Sequence, residues 1–556
     1  MNNYPTLVDK IYEMQETLPN EIFLRQPYGD IWEEFTYDEA ITEALRLVTA
    51  MKSSELQKGD KIGIYSKNCY QWVIAEIAIM LGGFVHVPFY ANLGEKDLKE
   101  VIDLSEIKLL FVGKIENWDR VKNGVPNDLP IVKFPHYKGN AVIDSGISWD
   151  EFIKDVEPDK ENFRPESDDI WSIFFTSGTT GVPKGVVMTY AQPANLILKQ
   201  DKPHNNFNFS SPGKNTFLSY MPLNHIAEQT LIITCGFYYE GQISFVESLH
   251  SFAKNLTDAK PSVFLGVPAI WEMLKQGILK QMPNLDELLK MPENAKQIKK
   301  KIQTTIGLNN TKLVISGASA MLPSTVEWFQ NIGINIQETY GMTEALAIVI
   351  IQPKDDVRIG KSGKCFEEGL IKTDPETNEI LVKNSWLFKE YYNEPELTKE
   401  CFTDDGFYKT GDTGEIDNEG YLTVKGRIKD TFKTSKGSFI IPTPIENRFM
   451  TNKLIGQICL VGIGLSKPMG LIQLSQIGKG LNSDDIQKSL LRTLNEVNKK
   501  LQIYEKIDKL VIMFENWSIE NGLLTPTNKI KRSTIHETYK SLYNEWYKQN
   551  NKIIIA

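Results

Sequence analysis

The sequence predicts an α/β protein in which a large N-terminal domain, built from α/β subdomains, precedes a small C-terminal α+β domain. Three observations predict it. Apolar runs typical of strands recur along the chain, helical patterns lie between several of them, and the charge balance changes near Lys429. Strands that alternate with helices favour sheets with many parallel neighbours. A length of 556 residues with 24% charged residues fits a globular chain of more than one domain.

Apolar segments bounded by turn residues predict the strands of the N-terminal domain. They span 61–67, 108–113, 170–177, 216–222, 262–268, 312–318 and 335–341. Helical patterns occupy 38–52, 324–333 and 393–402. The turn-rich region 376–425 predicts a small antiparallel unit within the same domain.

A new α/β pattern begins after GRIKD (426–430). It contains the strand-like QICLVGIG, the helical DDIQKSLLRTLNEVNKKL and a polar helix near IHETYKSLYNEWYKQ. From Asp430 to Ala556 there are 18 Lys and Arg against 11 Asp and Glu, a net charge of +7. Because the whole chain has a net charge of −9, the preceding residues carry −16. We therefore predict a boundary that separates residues 1–428 from residues 429–556.

Composition excludes several classes of protein. The net charge of −9 opposes nucleic-acid binding. The five cysteines show no CxxC or Cys/His clustering, which argues against structural zinc and against a disulfide framework. No secretory signal is readable at the start, so a cytoplasmic location is expected. The apolar window Trp72–Tyr90 contains Glu76 and a Gly-Gly break, which favours a buried helix leading into a strand over a membrane span.

The stretch TSGTTGVPKG (176–185) follows a strand-like run and combines hydroxyls, glycines and one lysine. Such a loop can direct backbone N–H groups and side-chain donors toward a phosphate, while Lys184 adds a positive charge. Its spacing is neither that of a Walker A loop nor that of GxGxxG. Alone it is a weak signal, since surface turns have a similar composition.

Four later segments strengthen it: ETYGMTE (338–344), YKTGD (408–412), GRIKD (426–430) and LLTPTNKIKR (523–532). Together with the loop, in this order, they resemble the motifs of the adenylate-forming superfamily. SYMPLNHIAEQT (219–230), LGVPAIWEML (265–274) and NGLLTPTNKIKR (521–532) resemble its long-chain fatty acyl-CoA synthetase branch. The resemblance implies MgATP-dependent ligation of a fatty acid to coenzyme A through acyl-AMP, with a C-terminal domain that moves about a hinge.

The resemblance also implies roles for particular residues. The β- and γ-phosphates would be held by Thr176, Ser177, Gly178, Thr179, Thr180 and Lys184. Glu344 would hold Mg²⁺, and Thr343 would reach the α-phosphate. Adenine would lie against Tyr340, Gly341 and the run Gly317, Ala318 and Ser319; the ribose would be bound by Asp412 and Arg427. Lys529 would contact the reacting carboxylate and the α-phosphate, and Lys429 would be the hinge. Lys531 and Arg532, which follow Lys529, are expected to be solvated and to take no part in catalysis.

Two residues concern the acid and the thiol. His225 is expected near the carboxylate end of the acyl pocket, although a lone His at a strand end is more often structural. Gly437 would let pantetheine pass close to the backbone. An acyl carrier protein is the alternative acceptor, and a catalytically inactive nucleotide- or acyl-binding homologue is a third interpretation. A long-chain substrate also raises the hypothesis of transient association with the inner face of a membrane.

Overall fold

The computed structural model describes residues 4–177, 183–200, 214–365 and 370–556, and the chain divides into two compact units. The first unit comprises Met1–Leu370 and Lys383–Phe402; the second comprises Ile371–Val382 and Thr403–Ala556. Each unit combines sheets with helices, so the predicted α/β class is confirmed. The second unit contains the chain from Thr403 onward. The boundary between residues 428 and 429 was predicted as the position of a hinge, and it stays a prediction.

One sheet of the first unit has a parallel centre flanked by antiparallel edges. Its strands lie in the order Gly363–Cys365, Ile350–Ile351, Gln337–Tyr340, Leu313–Ser316, Val263–Leu265, Thr216–Ser219, Gln242–Phe245, Ile22–Tyr28 and Ile31–Thr36. Leu313–Ser316 runs parallel to Val263–Leu265 and to Gln337–Tyr340. The carboxyl ends of these strands therefore meet at one edge, where ligands bind in open α/β sheets.

A second sheet of the first unit carries the glycine-rich loop. Its order is Glu390–Tyr391, Pro183–Thr189, Ile170–Ser177, Val85–Phe89, Lys61–Tyr65, Leu109–Val112, Ile131–Lys133 and Ile147–Ser148. Ile170–Ser177 and Pro183–Thr189 form an antiparallel pair, and Glu390–Tyr391 adds to its outer edge. The seven strands predicted from the apolar segments all occur, and each bound differs from the predicted one by at most three residues.

Helices cover both sheets. Those of the first unit are Leu7–Thr17, Tyr37–Ser53, Tyr70–Leu81, Glu95–Ser105, Trp149–Phe152, Ala191–Gln200, Ile226–Glu228, Cys235–Tyr238, Phe252–Ala259, Pro268–Gln281, Leu285–Leu289, Pro292–Thr305, Pro323–Asn331 and Pro395–Glu400. Short 3-10 helices span Lys122–Gly124 and Thr343–Ala345, and a π-helix spans Gln229–Thr234. The apolar window becomes the buried helix Tyr70–Leu81 followed by strand Val85–Phe89, as predicted. Within the described ranges, no helix has the length and apolar character needed to cross a bilayer.

The second unit begins with antiparallel strands, among them those predicted for 376–425 as part of the N-terminal domain. They are Ile371–Thr373, Glu379–Val382, Tyr408–Ile416 and Tyr421–Arg427, followed by the hairpin Phe432–Lys433 and Phe439–Ile440. The strands of a further sheet lie in the order Ile455–Val461, Met469–Leu474, Leu510–Ile512 and Ile553–Ile555. The helices of the second unit are Pro442–Phe449, Gln476–Lys479, Ser483–Lys499, Arg532–Tyr539 and Tyr543–Lys548.

The long helix Ser483–Lys499 buries Ile486, Leu490, Leu494 and Val497, which share one face at helical spacing. The predicted C-terminal helix is instead two helices joined by the 3-10 turn Lys540–Leu542. The aromatic rings of Tyr539, Tyr543 and Trp546 on either side of this turn all belong to one buried cluster. Tertiary packing thus overrides a helical period that is continuous in the sequence.

Candidate functional site

The glycine-rich loop connects two paired strands of the first unit. Thr176 lies opposite Lys184 in the antiparallel register, and both are partly buried. Strand pairing therefore puts the predicted hydroxyl and the predicted cation side by side at the base of the loop. Gly178, Thr179 and Thr180 lie outside the described residues, as does the side chain of Ser177.

Glu344 is held by a neighbouring strand from both its side chain and its backbone. The Tyr391 hydroxyl donates to Glu344 Oε1 at 2.7 Å, and the Phe388 N–H donates to the Glu344 carbonyl at 2.7 Å. Tyr391 is buried, and its ring contacts that of Phe388 with the centroids 4.7 Å apart. The predicted metal-binding carboxylate is thus fixed by the segment that forms the edge strand Glu390–Tyr391.

The same tyrosine ring also meets the loop lysine. Lys184 Nζ lies 5.4 Å from the centre of the Tyr391 ring, within the range of a cation–π contact. Tyr391 consequently has Glu344 at its hydroxyl and Lys184 at its ring face. Tyr391 was not predictable from the sequence, because KEYYNEPELT shows only an aromatic pair before a helix. The signal that identifies it is spatial.

A tight turn presents Thr343 and Glu344. After strand Gln337–Tyr340 the chain passes through Gly341 into the 3-10 helix Thr343–Ala345. A Cβ added to Gly341 would lie 1.9 Å from the carbonyl oxygen of Ala347, so only glycine permits this close approach. The Thr230 hydroxyl donates to the Leu346 carbonyl at 3.1 Å, which ties the turn to the buried segment behind it.

The residues predicted to bind adenine lie at the ends of neighbouring parallel strands. Ile315 pairs with Gln337 and Ser316 with Glu338, so Gly317 and Tyr340 follow at the same sheet edge. A Cβ at Gly317 would come within 2.8 Å of the Thr339 methyl carbon. Ala318 has φ +67°, a left-handed conformation that directs the run Gly317–Ser319 into a sharp turn. Ala318 and Ser319 are exposed.

Two buried polar atoms lie beside this turn. Ser316 Oγ and Glu338 Oε1 have no hydrogen-bond partner among the described residues. Burial raises the pKa of Glu338 to about 7, an effect that the N–H of Met321 opposes by donating to the carboxylate. Buried polar atoms normally find partners, so unused capacity at a sheet edge fits a site for a polar ligand.

His225 begins a short helix at the end of another strand of the same sheet. It is the N-cap of Ile226–Glu228, where its Nδ1 accepts from the Ala227 N–H at 3.2 Å. The π-helix Gln229–Thr234 follows directly and is entirely buried. Such π segments inside helices occur frequently at functional sites.

In the second unit, Asp412 and Arg427 face each other across an antiparallel pair of strands. They are register partners, and Arg427 Nε lies 2.8 Å from Asp412 Oδ1. The Asp412 side chain is 9% exposed, whereas that of Arg427 is 51% exposed. Gly411, with φ +71°, shapes the backbone just before Asp412. This placement allows one buried carboxylate oxygen to be paired while the cation reaches solvent.

Lys529 lies in a hairpin loop of the same unit. Leu524 and Ile530 form an isolated bridge, and Asn528 has φ +58°. The Thr525 N–H donates to the Lys529 carbonyl at 2.8 Å, and the Lys529 N–H donates to the Thr525 hydroxyl oxygen at 3.0 Å. The Lys529 side chain is solvent-exposed, yet the surrounding protein lowers its pKa, first through lost hydration and second through Arg427; Asp412 acts in the opposite direction. The structure therefore brings Lys529 into electrostatic range of the predicted ribose-binding pair.

Two other predicted residues occupy turns of the second unit. Lys429 lies in the turn directly after strand Tyr421–Arg427, and the Ile428 N–H donates to the Gly411 carbonyl at 2.9 Å. Gly437 closes the hairpin Phe432–Ile440 with φ +83°, and a Cβ there would meet only Lys433 Cε, at 3.7 Å. Within this unit it is therefore the left-handed turn, rather than a lack of space, that favours glycine.

One interpretation from the sequence is wrong. Arg532 was expected to be solvated, but its side chain is only 13% exposed. Its guanidinium donates to both carboxylate oxygens of Glu446, at 2.7 and 2.8 Å, and to the Leu460 carbonyl at 2.9 Å. Arg532 thus anchors the end of the Lys529 loop to the core of the second unit, as bidentate arginine pairs do.

None of the five cysteines forms a disulfide in the described residues. In the parts of the chain that the structure describes, no three His, Cys, Asp or Glu side chains group into a metal site.

Comparison with protein families gives two matches. The AMP-binding enzyme family matches residues 13–392, and the AMP-binding enzyme C-terminal domain matches residues 429–551. Curated relatives match almost end to end. Long chain acyl-CoA synthetase 2 of Arabidopsis thaliana is 27% identical over 98% of this chain and 93% of its own length. A long-chain-fatty-acid–CoA ligase of Mycobacterium bovis is 24% identical over 96% of each chain.

Solved structures share the fold at lower identity. The adenylation domain of a carboxylate reductase from Mycobacterium chelonae has a TM-score of 0.81 at 19% identity, covering 99% of this chain and 92% of that one. O-succinylbenzoate coenzyme A synthetase from Bacillus subtilis, in complex with AMP, has a TM-score of 0.73 at 18% identity, covering 95% and 97%. The chain therefore has the same fold as these proteins.

Proposed function

The chain belongs to the AMP-binding enzyme family, and from this premise we propose that it is a MgATP-dependent fatty acyl-CoA ligase acting through acyl-AMP. Relatives named long-chain acyl-CoA synthetases match over nearly its whole length, which supports a fatty acid as substrate and coenzyme A as acceptor. The structural observation that carries the proposal is the arrangement of Lys184 and Glu344 on one buried tyrosine, Tyr391. A cation beside a carboxylate is what a metal-bound polyphosphate requires.

In the first half-reaction a carboxylate oxygen of the acid attacks the α-phosphorus of ATP. A new P–O bond forms, the bond to the β-phosphate bridging oxygen breaks, and pyrophosphate leaves. Two anions must approach each other, so catalysis depends on orientation and on neutralising charge. Thr176, Ser177, Gly178, Thr179, Thr180 and Lys184 would bind the β- and γ-phosphates, and Thr343 the α-phosphate.

Glu344 would hold Mg²⁺ together with phosphate oxygens and water, which suits a hard cation that retains several waters. Bound there, the ion would neutralise developing charge on the phosphates. The fixed carboxylate fits this role, since one of its oxygens accepts from Tyr391 and a carboxylate has further lone pairs with which to bind a metal ion. Adenine would lie against Tyr340, Gly341 and Gly317–Ser319, whose strand ends carry buried polar atoms with unused capacity.

Asp412 and Arg427 would bind the ribose hydroxyls, and Lys529 would contact the carboxylate and the α-phosphate. The nearness of Lys529 to Arg427 and Asp412 in one unit supports a shared substrate. In the second half-reaction the coenzyme A thiolate attacks the acyl carbon, and AMP leaves with its phosphate oxygen. Residues 429–556 would move relative to residues 1–428 about Lys429. This movement would withdraw Lys529 from the reacting atoms and bring the pantetheine path beside Gly437 to them.

The test is pyrophosphate release with MgATP and acids of increasing chain length, each with and without coenzyme A. We expect turnover with long-chain acids, accumulation of a thioester and dependence on coenzyme A. A single burst of acyl-AMP that coenzyme A leaves unchanged would instead favour the alternative, a ligase that loads an acyl carrier protein. The relatives' names favour coenzyme A over that acceptor. Absence of acyl-AMP with every acid would favour an inactive homologue, an interpretation opposed by the retention of Lys184, Glu344, Asp412 and Lys529.

The proposal extends to location. A long-chain acid partitions into bilayers, so the enzyme would associate transiently with a membrane while acting in the cytoplasm. Flotation with liposomes that contain fatty acid tests this point. Recovery of all the protein in the lipid-free fraction would contradict it and leave the ligase activity unaffected.

A further inference from the structure

A buried asparagine far away in sequence organises the segment that carries His225. Asn68 follows strand Lys61–Tyr65 and is 7% exposed. Its Nδ2 donates to Ser219 Oγ at 2.8 Å and to the Met221 carbonyl at 2.6 Å, and its Oδ1 accepts from the Leu223 N–H at 3.1 Å. One amide group thus fixes the whole approach from the strand end to His225.

A buried carboxyl group closes the same segment from the other side. Glu228 is 1% exposed, and its Oε1 accepts from the Ser219 hydroxyl at 2.8 Å, from the Tyr220 N–H at 2.9 Å and from Asn68 Nδ2 at 3.3 Å. Asn68 and Glu228 therefore share Ser219, and residues 219–228 form a closed loop pinned at both ends. Burial also raises the pKa of Glu228 to about 8. Such a group is costly to bury, and hydrogen bonds from the loop offset that cost.

His225 lies within this pinned loop. Its N–H donates to the Pro222 carbonyl at 2.8 Å, and its own carbonyl accepts from the Glu228 N–H at 3.0 Å. Because Nδ1 accepts from the Ala227 N–H, the proton of the neutral ring is on Nε2. The loop consequently fixes both the position of the ring and the nitrogen that donates.

We propose that Asn68 and Glu228 are positioning residues that hold His225 Nε2–H toward the carboxylate of the acid, and so determine how tightly the acid binds. This inference rests on the proposed ligase function. The Asn68–Glu228 pair reaches the acid only through His225, so its effect should appear in acid binding and leave nucleotide binding unchanged. A role in core stability alone would change thermal stability and would affect both substrates without discrimination.

The experiment measures the KM for the acid and the KM for ATP in acyl-AMP formation. The midpoint of thermal unfolding of each variant is measured separately. We expect Asn68→Ala and Glu228→Ala to raise the acid KM about tenfold while the ATP KM stays within about twofold. Glu228→Gln keeps an oxygen that accepts from Ser219 and Tyr220, so it should restore most of the affinity for the acid. The matched control is Asn255→Ala, since Asn255 is also fully buried in this unit and accepts from the Glu247 N–H.

A double-mutant cycle with His225→Ala separates positioning from stability. If Asn68 acts through His225, the variant Asn68→Ala should add less than about twofold to the acid KM of His225→Ala. Additive effects, equal rises in both KM values, or an acid KM for Asn255→Ala like that of Asn68→Ala would overturn the inference. These outcomes leave the proposed ligase intact, because the wild type would still form acyl-AMP. A wild type inactive with every acid removes both proposals. Should Asn68→Ala fail to fold, Glu228→Gln against Glu228→Ala applies the same test.

Discussion

The turn that carries Glu344 and the loop that carries Lys529 differ in how each holds its functional side chain. Glu344 is fixed at its carboxylate by Tyr391 and at its carbonyl by Phe388. Lys529 is fixed by its backbone, through Thr525, while its amino group lies within electrostatic range of Arg427 and Asp412. One functional group is clamped, and the other extends from a loop whose backbone is held by hydrogen bonds.

The difference matches two chemical tasks. A carboxylate that holds a metal ion contributes throughout nucleotide binding, so a rigid, preorganised position is an advantage. A lysine that serves one half-reaction must reach the reacting atoms and then withdraw, which a loop with a solvent-exposed lysine permits. Substitutions at the two places should therefore affect different steps, as the following predictions state in order of expected size.

The largest effect should come from Lys529→Ala. Loss of a positive group at the reacting carboxylate should slow acyl-AMP formation by about a hundredfold or more. Thioester formation from supplied acyl-AMP should remain near the wild-type rate, since that step does not need the lysine. The measurement is single-turnover kinetics of each half-reaction, with Lys531→Ala as the control. Equal loss in both half-reactions would show that the lysine is not confined to one step.

The next effect concerns the clamp on Glu344. Tyr391→Phe keeps the ring under Lys184 and removes the hydroxyl, so we expect the Mg²⁺ concentration for half-maximal activity to rise about three- to tenfold. Calorimetric titration with MgATP should show a matching loss of affinity. Tyr392→Phe is the matched control, because the neighbouring hydroxyl contacts Lys61 and Glu106 instead. Unchanged Mg²⁺ dependence in Tyr391→Phe would mean that the clamp has no part in metal binding.

A smaller effect should appear in the pH profile of adenylation. Lost hydration and then Arg427 lower the pKa of Lys529, so its charged form is lost at a lower pH than for an ordinary lysine. Arg427→Met removes one of the two lowering causes, and the alkaline limb should therefore move to higher pH at saturating ATP. Arg448→Met, at an arginine bound to the Lys500 carbonyl, provides the control. If the alkaline limb of Arg427→Met stays at the wild-type pH, the titration of Lys529 does not determine that limb.

The smallest effect should be on the Lys529 loop itself. Thr525→Ala removes the hydroxyl that accepts from the Lys529 N–H at 3.0 Å and should lower the free energy of unfolding by about 1 kcal/mol. Denaturant unfolding measures this change, and Thr525→Ser, which retains the hydroxyl, should behave as the wild type. If adenylation also falls by far more than stability, the loop backbone is part of how the lysine is aimed.

Much of the molecule could be predicted from local pattern. The strands at 61–67, 170–177 and 335–341 and the helix at 38–52 occur where apolar periodicity and turn residues indicate them. The apolar window with Glu76 contains a buried helix. This outcome was predictable because the window contains a charged residue and a Gly-Gly break, which are not typical of a membrane span. Period and turn chemistry act over a few residues, which is why the sequence records them directly.

The residues that hold the candidate site were not predictable in this way. Tyr391 meets Glu344 and Lys184, and Asn68 meets Glu228, across long separations in sequence. Arg532 looked like a solvated charge beside Lys531, whereas it forms a nearly buried pair with Glu446. None of these contacts leaves a local period, since each depends on which strand ends the sheets bring together.

By itself, the sequence determined the α/β class, the order of strands and helices, and the motifs that carry the resemblance to adenylate-forming enzymes. These features are local in the chain, so neighbouring residues are enough to specify them. Only the tertiary structure decided that Tyr391 contacts both Glu344 and Lys184. It also decided that Asn68 and Glu228 hold the loop of His225, and that Arg532 anchors the Lys529 loop. The physical reason is that hydrogen bonds and ion pairs act over a few ångströms in space, and only the fold brings distant residues that close.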